Sequence, residues 1–144
     1  MATKEMELRQ IRDVLAAIER MKGAGVSLKG LAIVDMGMIK HSLKPVLEGY
    51  NEAVTENQNS LMGYNRELSM AQGSESPAKA AAEVVERNKA TLDAYNKRVG
   101  ELNALLKEKR TVDIPEIDIG SFMFDDKNGE AASVVGDLLP CIKR

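Results

Sequence analysis

The stretch that decides the fold is LKPVLEGYNEAVTENQNSLMGYNREL, residues 43–68. Its apolar or aromatic side chains recur at alternating intervals of four and three residues: Leu43, Leu47, Tyr50, Val54, Leu61, Tyr64 and Leu68. This heptad spacing predicts a helix with one face packed on another helix, and Asn57 occupies the single polar position. Because proline removes a backbone donor and clashes with the preceding turn, we also expect a kink or restart between His41 and Pro45.

A second ladder with the same spacing follows a short turn. Gly73 favours the end of the first helix, and Pro77 is typical of the first position of the next one. The second ladder consists of Ala81, Val85, Asn88, Leu92, Tyr95, Val99, Leu102 and Leu106. Folding it back about Ser74 would place Asn57 opposite Asn88, a contact that would fix the register. We therefore predict a mainly α fold built on a long antiparallel, coiled-coil-like helical hairpin.

The segments on either side of the ladders complete a prediction of two domains. The spacing of Leu8, Ile11, Leu15 and Ile18 predicts an N-terminal helix over 4–22, followed by a Gly-rich turn and by helices over about 28–72. With a helix over 77–109, these segments form a helical domain, 1–110. Beyond it, β-branched residues alternate with acidic ones and predict an extended or strand segment, and Ala131 to Leu139 predicts a short helix, so that 111–144 is an extended arm with a C-terminal helix.

Composition narrows the class of protein. Of the 144 residues 44% are hydrophobic but only 3% are aromatic, so aliphatic side chains must build the core. Twenty basic and 22 acidic residues give a net charge of -2 without a basic block, which argues against direct binding of nucleic acid. With Cys141 as the single cysteine, no signal-peptide pattern and no membrane-spanning apolar run, we expect a cytoplasmic protein without membrane contact.

The best candidates for binding a small anion lie around the Gly-rich turn 23–30 and on the basic segment before Pro45. Glycines allow backbone N–H groups to approach an anion, and lysines supply charge. The candidate ligand-binding residues are Lys22, Gly25, Lys29, Lys40, His41 and Lys44. The turn fits neither the Walker A nor the dinucleotide template, so an ordinary interhelical turn and a solvated helix face remain the simpler interpretations.

The sequence offers little for catalysis or for a metal. His41 is the only histidine, so one chain cannot form a histidine triad, and no acyl-transfer constellation accompanies it. Residues 125–130 do not fit a calcium loop, because Phe124 and Val135 would fall at ligand positions. We therefore predict no catalytic residue, no metal ligand and no cofactor; an enzyme would require subunits to pool His41 and carboxylates across an interface.

The C-terminal arm carries more apolar residues than one hairpin can readily cover, which predicts a homo-oligomer. The candidate interface residues are Ile117, Ile119, Phe122, Phe124, Leu138 and Leu139.

The segment Glu101-Leu102-Asn103-Ala104-Leu105-Leu106, followed by Val112-Asp113-Ile114-Pro115-Glu116-Ile117, resembles small phage-encoded proteins. Their helical hairpins also end in a Leu-Leu pair before an acidic, isoleucine-rich tail. The resemblance covers about residues 31–120 and implies a phage protein acting in the host cell cytoplasm.

Two functions follow from these observations as hypotheses. The first is a non-enzymatic, self-associating binding protein that sequesters a host protein or a small anionic nucleotide signal, and the resemblance implies that it acts in counter-defence. The second is a structural or assembly accessory, such as a coiled-coil scaffold or chaperone in virion morphogenesis. The first requires a ligand or partner site, whereas the second requires only the helical hairpin and the tail.

Overall fold

The computed structural model describes residues 1–125 and 128–143 and is mainly helical, with 67% of these residues in helices. The mainly α prediction is confirmed. The chain divides into two compact units: unit 1 combines Met1–Gly49 with the residues from Leu106 onward, and unit 2 is Tyr50–Leu105. The turn predicted around Asp125 to Gly129 includes Asp126 and Lys127, which lie outside the described residues.

Four consecutive helices separate two regions in which strands and helices are mixed. The strands are β1 (Ala2–Glu7), β2 (Val26–Leu28), β3 (Lys109–Ile114), β4 (Ile117–Asp118), β5 (Phe122–Phe124) and β6 (Ile142–Lys143). The α-helices are α1 (Leu8–Arg20), α2 (Ala32–Asn59), α3 (Met62–Gln72), α4 (Pro77–Arg87), α5 (Lys89–Leu105) and α6 (Ala131–Leu138). Short 3-10 turns lie at Ile119–Ser121 and Leu139–Cys141. No described helix is long and apolar enough to cross a membrane.

Three two-stranded sheets hold unit 1 together. Strand β1 pairs antiparallel with β3, from Ala2 opposite Ile114 to Glu7 opposite Lys109. Strand β2 pairs antiparallel with β5, and β4 pairs parallel with β6. The first two sheets therefore join the N-terminal region of unit 1 to its C-terminal arm, and the third joins two strands of that arm.

The core of unit 1 lies between helices. Helix α1 packs against α6, and its buried residues recur every three positions along one face, as expected for an amphipathic helix. The buried apolar side chains of α1, α2 and α6 are Leu8, Ile11, Val14, Ala17, Ala32, Met36, Ile39, Leu43, Leu47, Ala131, Val134 and Leu138. This core positions the surface features described below.

The N-terminal predictions need two corrections. Residues 4–7, predicted as the start of a helix, belong to β1, and helix α1 begins at Leu8 and ends at Arg20. Pairing with β3, more than a hundred residues away in sequence, overrides the local helical pattern. The helix expected from about 28 begins at Ala32, because Val26–Leu28 pairs with β5 instead.

Of the two outcomes predicted at Pro45 in helix α2, a kink or a restart, the restart is wrong. Pro45 lies inside the helix and is exposed, while Leu43 and Leu47 on either side are buried. Burial of this continuous apolar stripe offsets the lost backbone hydrogen bond. The interruption comes instead at Ser60–Leu61, where the N–H of Ser60 donates to the carbonyls of Glu56 and Asn57.

In unit 2 the predicted contact between Asn57 and Asn88 is wrong. The side-chain amide of Asn57 donates to the carbonyl of Tyr95 at 3.3 Å, whereas that of Asn88 donates to a carboxylate oxygen of Glu67 at 2.7 Å. Asn57 therefore lies beside Tyr95, and Asn88 beside Glu67, instead of the two asparagines lying beside each other. The two asparagines do anchor the helices, but each does so with a different partner.

The predicted helix over 77–109 is also divided. Helix α4 ends at Arg87 and α5 begins at Lys89, and the side chain of Asn88 donates to the carbonyl of Val84 at 2.8 Å. Asparagine competes for backbone groups in this way and disfavours helix interiors. The break shifts the phase of the ladder, so Val84 is buried and Val85 is exposed.

Candidate functional site

The Gly-rich turn is tied to the loop that follows β5. Gly25 and Gly30 adopt φ values of +73° and +63°, a conformation that side chains with a Cβ rarely adopt. The carbonyl of Gly25 accepts a hydrogen bond from the backbone N–H of Asp125 at 2.7 Å, and Asn128 donates to the carbonyl of Gly23 at 3.1 Å. The glycines therefore serve a close backbone contact within unit 1.

The candidate cations do not converge on any of the cavities described for residues 1–125 and 128–143. The ammonium of Lys40 forms an ion pair with Glu19, and this hydrogen bond and charge lower the pKa of the Glu19 carboxyl. The side chains of Lys22 and Lys29 are exposed at the turn, and His41 and Lys44 are exposed on α2. Of the six candidate ligand residues, Lys40 alone lines the groove described next, and its charge is already compensated.

An apolar groove of about 350 Å³ opens between α1, β2 and α2. It is lined by Ile18, Met21, Ser27, Leu28, Ile33, Met36, Gly37 and Lys40. Apart from Ser27 and Lys40, these residues offer only apolar or backbone surface. Such a groove fits an aliphatic or aromatic side chain of a protein partner better than a nucleotide phosphate.

The first turns of α2 beside this groove expose large apolar side chains. The exposed fractions are 81% for Leu31, 61% for Ile33 and 58% for Val34, and Met38 is exposed as well. We refer to Leu31, Ile33, Val34 and Met38 together with the groove as the α2 apolar surface. Met123 on β5 lies directly opposite Ser27, which lines the groove, and cross-strand partners share a face of the sheet. The exposed side chain of Met123 therefore extends this surface.

The six candidate interface residues divide equally between the core and the surface. Ile117, Phe122 and Leu138 are buried within unit 1, so they stabilise the fold and are not exposed for a partner. The exposed ones are Ile119, Phe124 and Leu139. The rings of Phe122 and Phe124 stack with centroids 6.3 Å apart, which places the exposed ring on a buried support.

Sequence reasoning missed the α2 apolar surface, although a signal was present. The run LAIVDMGMI, residues 31–39, places apolar side chains on every face of the first turns of the helix. A helix that is apolar all round must be covered, either by the rest of the fold or by a partner. In the structure only Ala32, Met36 and Ile39 of this run are covered within the chain.

The thiol of Cys141 is poorly placed for nucleophilic chemistry. The residue is buried, and burial raises the pKa of the thiol to about 11. Since the thiolate is the reactive form, this environment suppresses its reactivity at neutral pH. Within 1–125 and 128–143, histidine, cysteine and carboxylate side chains form no group of three that could hold a metal ion.

No protein-family model, curated protein or solved structure matches this chain. The functional argument therefore depends on the surfaces of the molecule itself. Among those described above, the α2 apolar surface departs most from what a monomer in water requires.

Proposed function

We propose that this chain is a non-enzymatic binding protein that self-associates through the α2 apolar surface and acts by holding a protein partner. The observation that carries the proposal is the exposure of Leu31, Ile33 and Val34 on one short stretch of helix. A cluster of this kind beside an apolar groove is a liability on a free monomer and a common feature of interfaces.

The chemistry of this surface also supports a protein partner. Its exposed side chains are aliphatic or thioether groups, and methionine adapts its shape to irregular neighbours. Lys40, the cation that lines the groove, is paired with Glu19. A nucleotide phosphate would have to compete with that carboxylate, whereas an apolar side chain from a protein would not.

For unit 2 we propose an antiparallel helical hairpin that acts as a spacer. Its support comes from the hydrogen bonds of Asn57 to Tyr95 and of Asn88 to Glu67, which join the region before the turn at Gly73 to the region after it. The small buried residues Ala71 and Val84 add apolar contact between α3 and α4. This feature also favours the second candidate, a structural or assembly accessory in which the helical unit is the working part.

Self-association can be tested by native mass spectrometry and light scattering on the full chain. We expect the wild type to form a closed oligomer and the double variant Leu31→Glu/Val34→Glu to lose subunits, because both substituted side chains are exposed and their charges oppose burial. The matched control is Met62→Glu/Met70→Glu, which adds the same charge at exposed apolar positions of unit 2.

Circular dichroism of both variants checks that the helical content is retained. A wild type that is monomeric at about 50 µM would contradict the proposal, because the dissociation constants of weak interfaces are typically on the order of micromolar. An oligomer that survives Leu31→Glu/Val34→Glu but not the control would contradict it as well. Extra mass in the native spectrum that matches a nucleotide would favour anion sequestration instead.

A further inference from the structure

The largest groove described in unit 1 lies along β1, α1 and the C-terminal segment. Its volume is about 850 Å³. It is lined by Lys4, Glu5, Met6, Gln10, Asp13, Glu116, Gly136, Asp137, Leu139, Pro140, Ile142 and Lys143. This groove is separate in composition from the α2 apolar surface, since the two share no lining residue.

The groove faces the edge of β1. Successive side chains of a strand point to opposite faces of its sheet, yet the consecutive residues Lys4, Glu5 and Met6 all line the groove. Three consecutive residues of a strand can all line one cavity when that cavity borders the hydrogen-bonding edge of the strand. Strand β1 pairs with β3 on its other side, so the edge toward the groove is the outer one.

The pairing pattern identifies which backbone groups point outward. The N–H of Leu8 donates to the carbonyl of Glu108 at 2.9 Å and continues the β1–β3 register. Hydrogen-bonded and non-hydrogen-bonded pairs alternate along an antiparallel ladder, so Met6 and Lys4 bond to β3 as well. The backbone groups of Thr3, Glu5 and Glu7 therefore point away from β3.

The N-cap of α1 agrees with this assignment. The backbone N–H of Glu7 donates to the side-chain oxygen of Gln10 at 2.9 Å, as an outward-facing group can. The same outward direction applies two and four residues earlier, at Glu5 and Thr3. These two positions present the donors and acceptors that an added strand needs.

The carboxylate of Glu5 favours a basic side chain opposite it in an added strand. The other three carboxylates of the lining are already paired, Asp13 with Arg12, Glu116 with Lys4 and Asp137 with Arg20. Lys4 is held by Glu116 at 3.0 Å and by the carbonyl of Pro140. Within the described part of the chain, Glu5 has no ion pair of its own. Apolar surface from Leu139, which is exposed, completes the lining.

We propose that this groove binds an extended, basic peptide segment, which adds as a strand to the outer edge of β1. The backbone groups of Thr3 and Glu5 bond to the peptide, the carboxylate of Glu5 receives a basic side chain, and Leu139 contacts an apolar one. A second copy of β1 is a poorer occupant. Antiparallel pairing of two β1 strands along their outer edges places like charges opposite each other, either Glu5 with Glu5 or Lys4 with Lys4.

The test uses fluorescence anisotropy of the full chain with a labelled probe peptide, Lys-Val-Lys-Val-Lys-Val-Lys. A matched acidic peptide has Glu in place of Lys, and a third probe carries N-methyl groups on alternate residues, which removes the donors along one edge. We expect the basic peptide to bind, the acidic one to bind at least about tenfold more weakly, and N-methylation to weaken binding by a similar factor, as expected for the loss of one or more hydrogen bonds.

Two variants separate the backbone contribution from the charge. Glu5→Pro removes the outward N–H while leaving the β1–β3 hydrogen bonds in place, because proline is tolerated at edge positions whose N–H faces outward. Glu5→Gln keeps the N–H and removes the charge. We expect Glu5→Pro to bind more weakly than Glu5→Gln, and both to bind more weakly than the wild type.

Three results would overturn the proposal. They are equal binding of the basic and acidic peptides, unchanged binding of the N-methylated peptide, and no binding of the unmodified peptide at 1 mM, on the order of the weakest useful affinities. Loss of self-association in Glu5→Pro would assign the edge to a second copy instead. The variant Leu31→Glu/Val34→Glu must retain peptide binding, which keeps this result distinguishable from failure of the α2 interface.

Discussion

Leu138 and Leu139 are neighbours in sequence but lie in opposite environments, which makes them a sharp test of the fold of unit 1. Leu138 is 0% exposed in the contact between α6 and α1, whereas Leu139 is 42% exposed. Truncating a buried leucine to alanine removes about 3 kcal/mol of stability or more, because apolar burial is lost and a cavity remains. The same change at a leucine that keeps 42% of its surface exposed, as Leu139 does, removes about 1 kcal/mol or less.

Cys141 reports the opening of this region. It is the only cysteine, it is 1% exposed, and it follows α6 by three residues. A thiol reagent can reach it only when unit 1 opens, so under native conditions the modification rate follows the population of the open form. A loss of 3 kcal/mol corresponds to about 150-fold faster modification in Leu138→Ala, and 1 kcal/mol corresponds to about fivefold in Leu139→Ala.

The comparison is made at one pH with both variants and the wild type, so that the intrinsic reactivity of the thiol cancels. Equal acceleration in the two variants would refute the reasoning, because it would mean that Leu138 is no better buried than Leu139. Modification that is faster in Leu139→Ala than in Leu138→Ala would refute it more directly. That result would also return Leu138 to the set of surface residues available for an interface.

Two further predictions concern pH. Burial raises the pKa of the Cys141 thiol from 9.0 to about 11, so its contribution to stability is present below about pH 9 and is lost as pH rises to about 11. Urea unfolding at pH 8 and 10.5 should therefore show a larger loss of stability in the wild type than in Cys141→Ala. Equal losses of stability in the two proteins would contradict this. Lys40 lowers the pKa of Glu19 below 4.5, so their interaction is present at neutral pH and is lost as pH falls through the lowered pKa. Titration of the Glu19 carboxyl by NMR should show a higher pKa in Lys40→Gln than in the wild type. An unchanged pKa would contradict the ion pair.

The parts of the fold that sequence predicts well are those set by local periodicity. The ladder from Leu43 to Leu68 is at least half-buried at each of its positions, and the short helix near Ala131 begins and ends close to the predicted bounds. In both segments the spacing of apolar residues is decided by the helix itself. Burial of one face then requires no knowledge of distant parts of the chain.

Sequence fails where a distant segment decides the local structure. The charged segment before Leu8 becomes a strand because β3 supplies a partner, and nothing in its local pattern reveals that partner. Pro45 remains inside α2 because buried neighbours hold the helix on both sides of it. Asn88, by contrast, ends a helix through its own hydrogen bond to Val84, which the heptad pattern conceals.

The candidate site shows the same division. Charged residues such as Lys22 and Lys29 attract attention in a sequence because their chemistry is explicit. The exposure of Leu31 and Val34 is invisible there, because an apolar run predicts burial unless the surrounding surface is known. The outward direction of the Glu5 backbone groups follows from the alternation of hydrogen-bonded and non-hydrogen-bonded pairs between β1 and β3. That alternation can be assigned only when the register of these two distant strands is known.

The pairing of Ala2 with Ile114 has a consequence for synthesis on the ribosome. Strand β1 is translated before β3 and cannot meet it until about 100 further residues have been added, which takes roughly 5–20 s at ordinary elongation rates. Throughout that interval the apolar face of α1 also lacks α6, while the local contacts of unit 2 can already form. Strand β1 and helix α1 are therefore protected later than unit 2, although they are translated before it, and a holding chaperone would matter most for them during this interval.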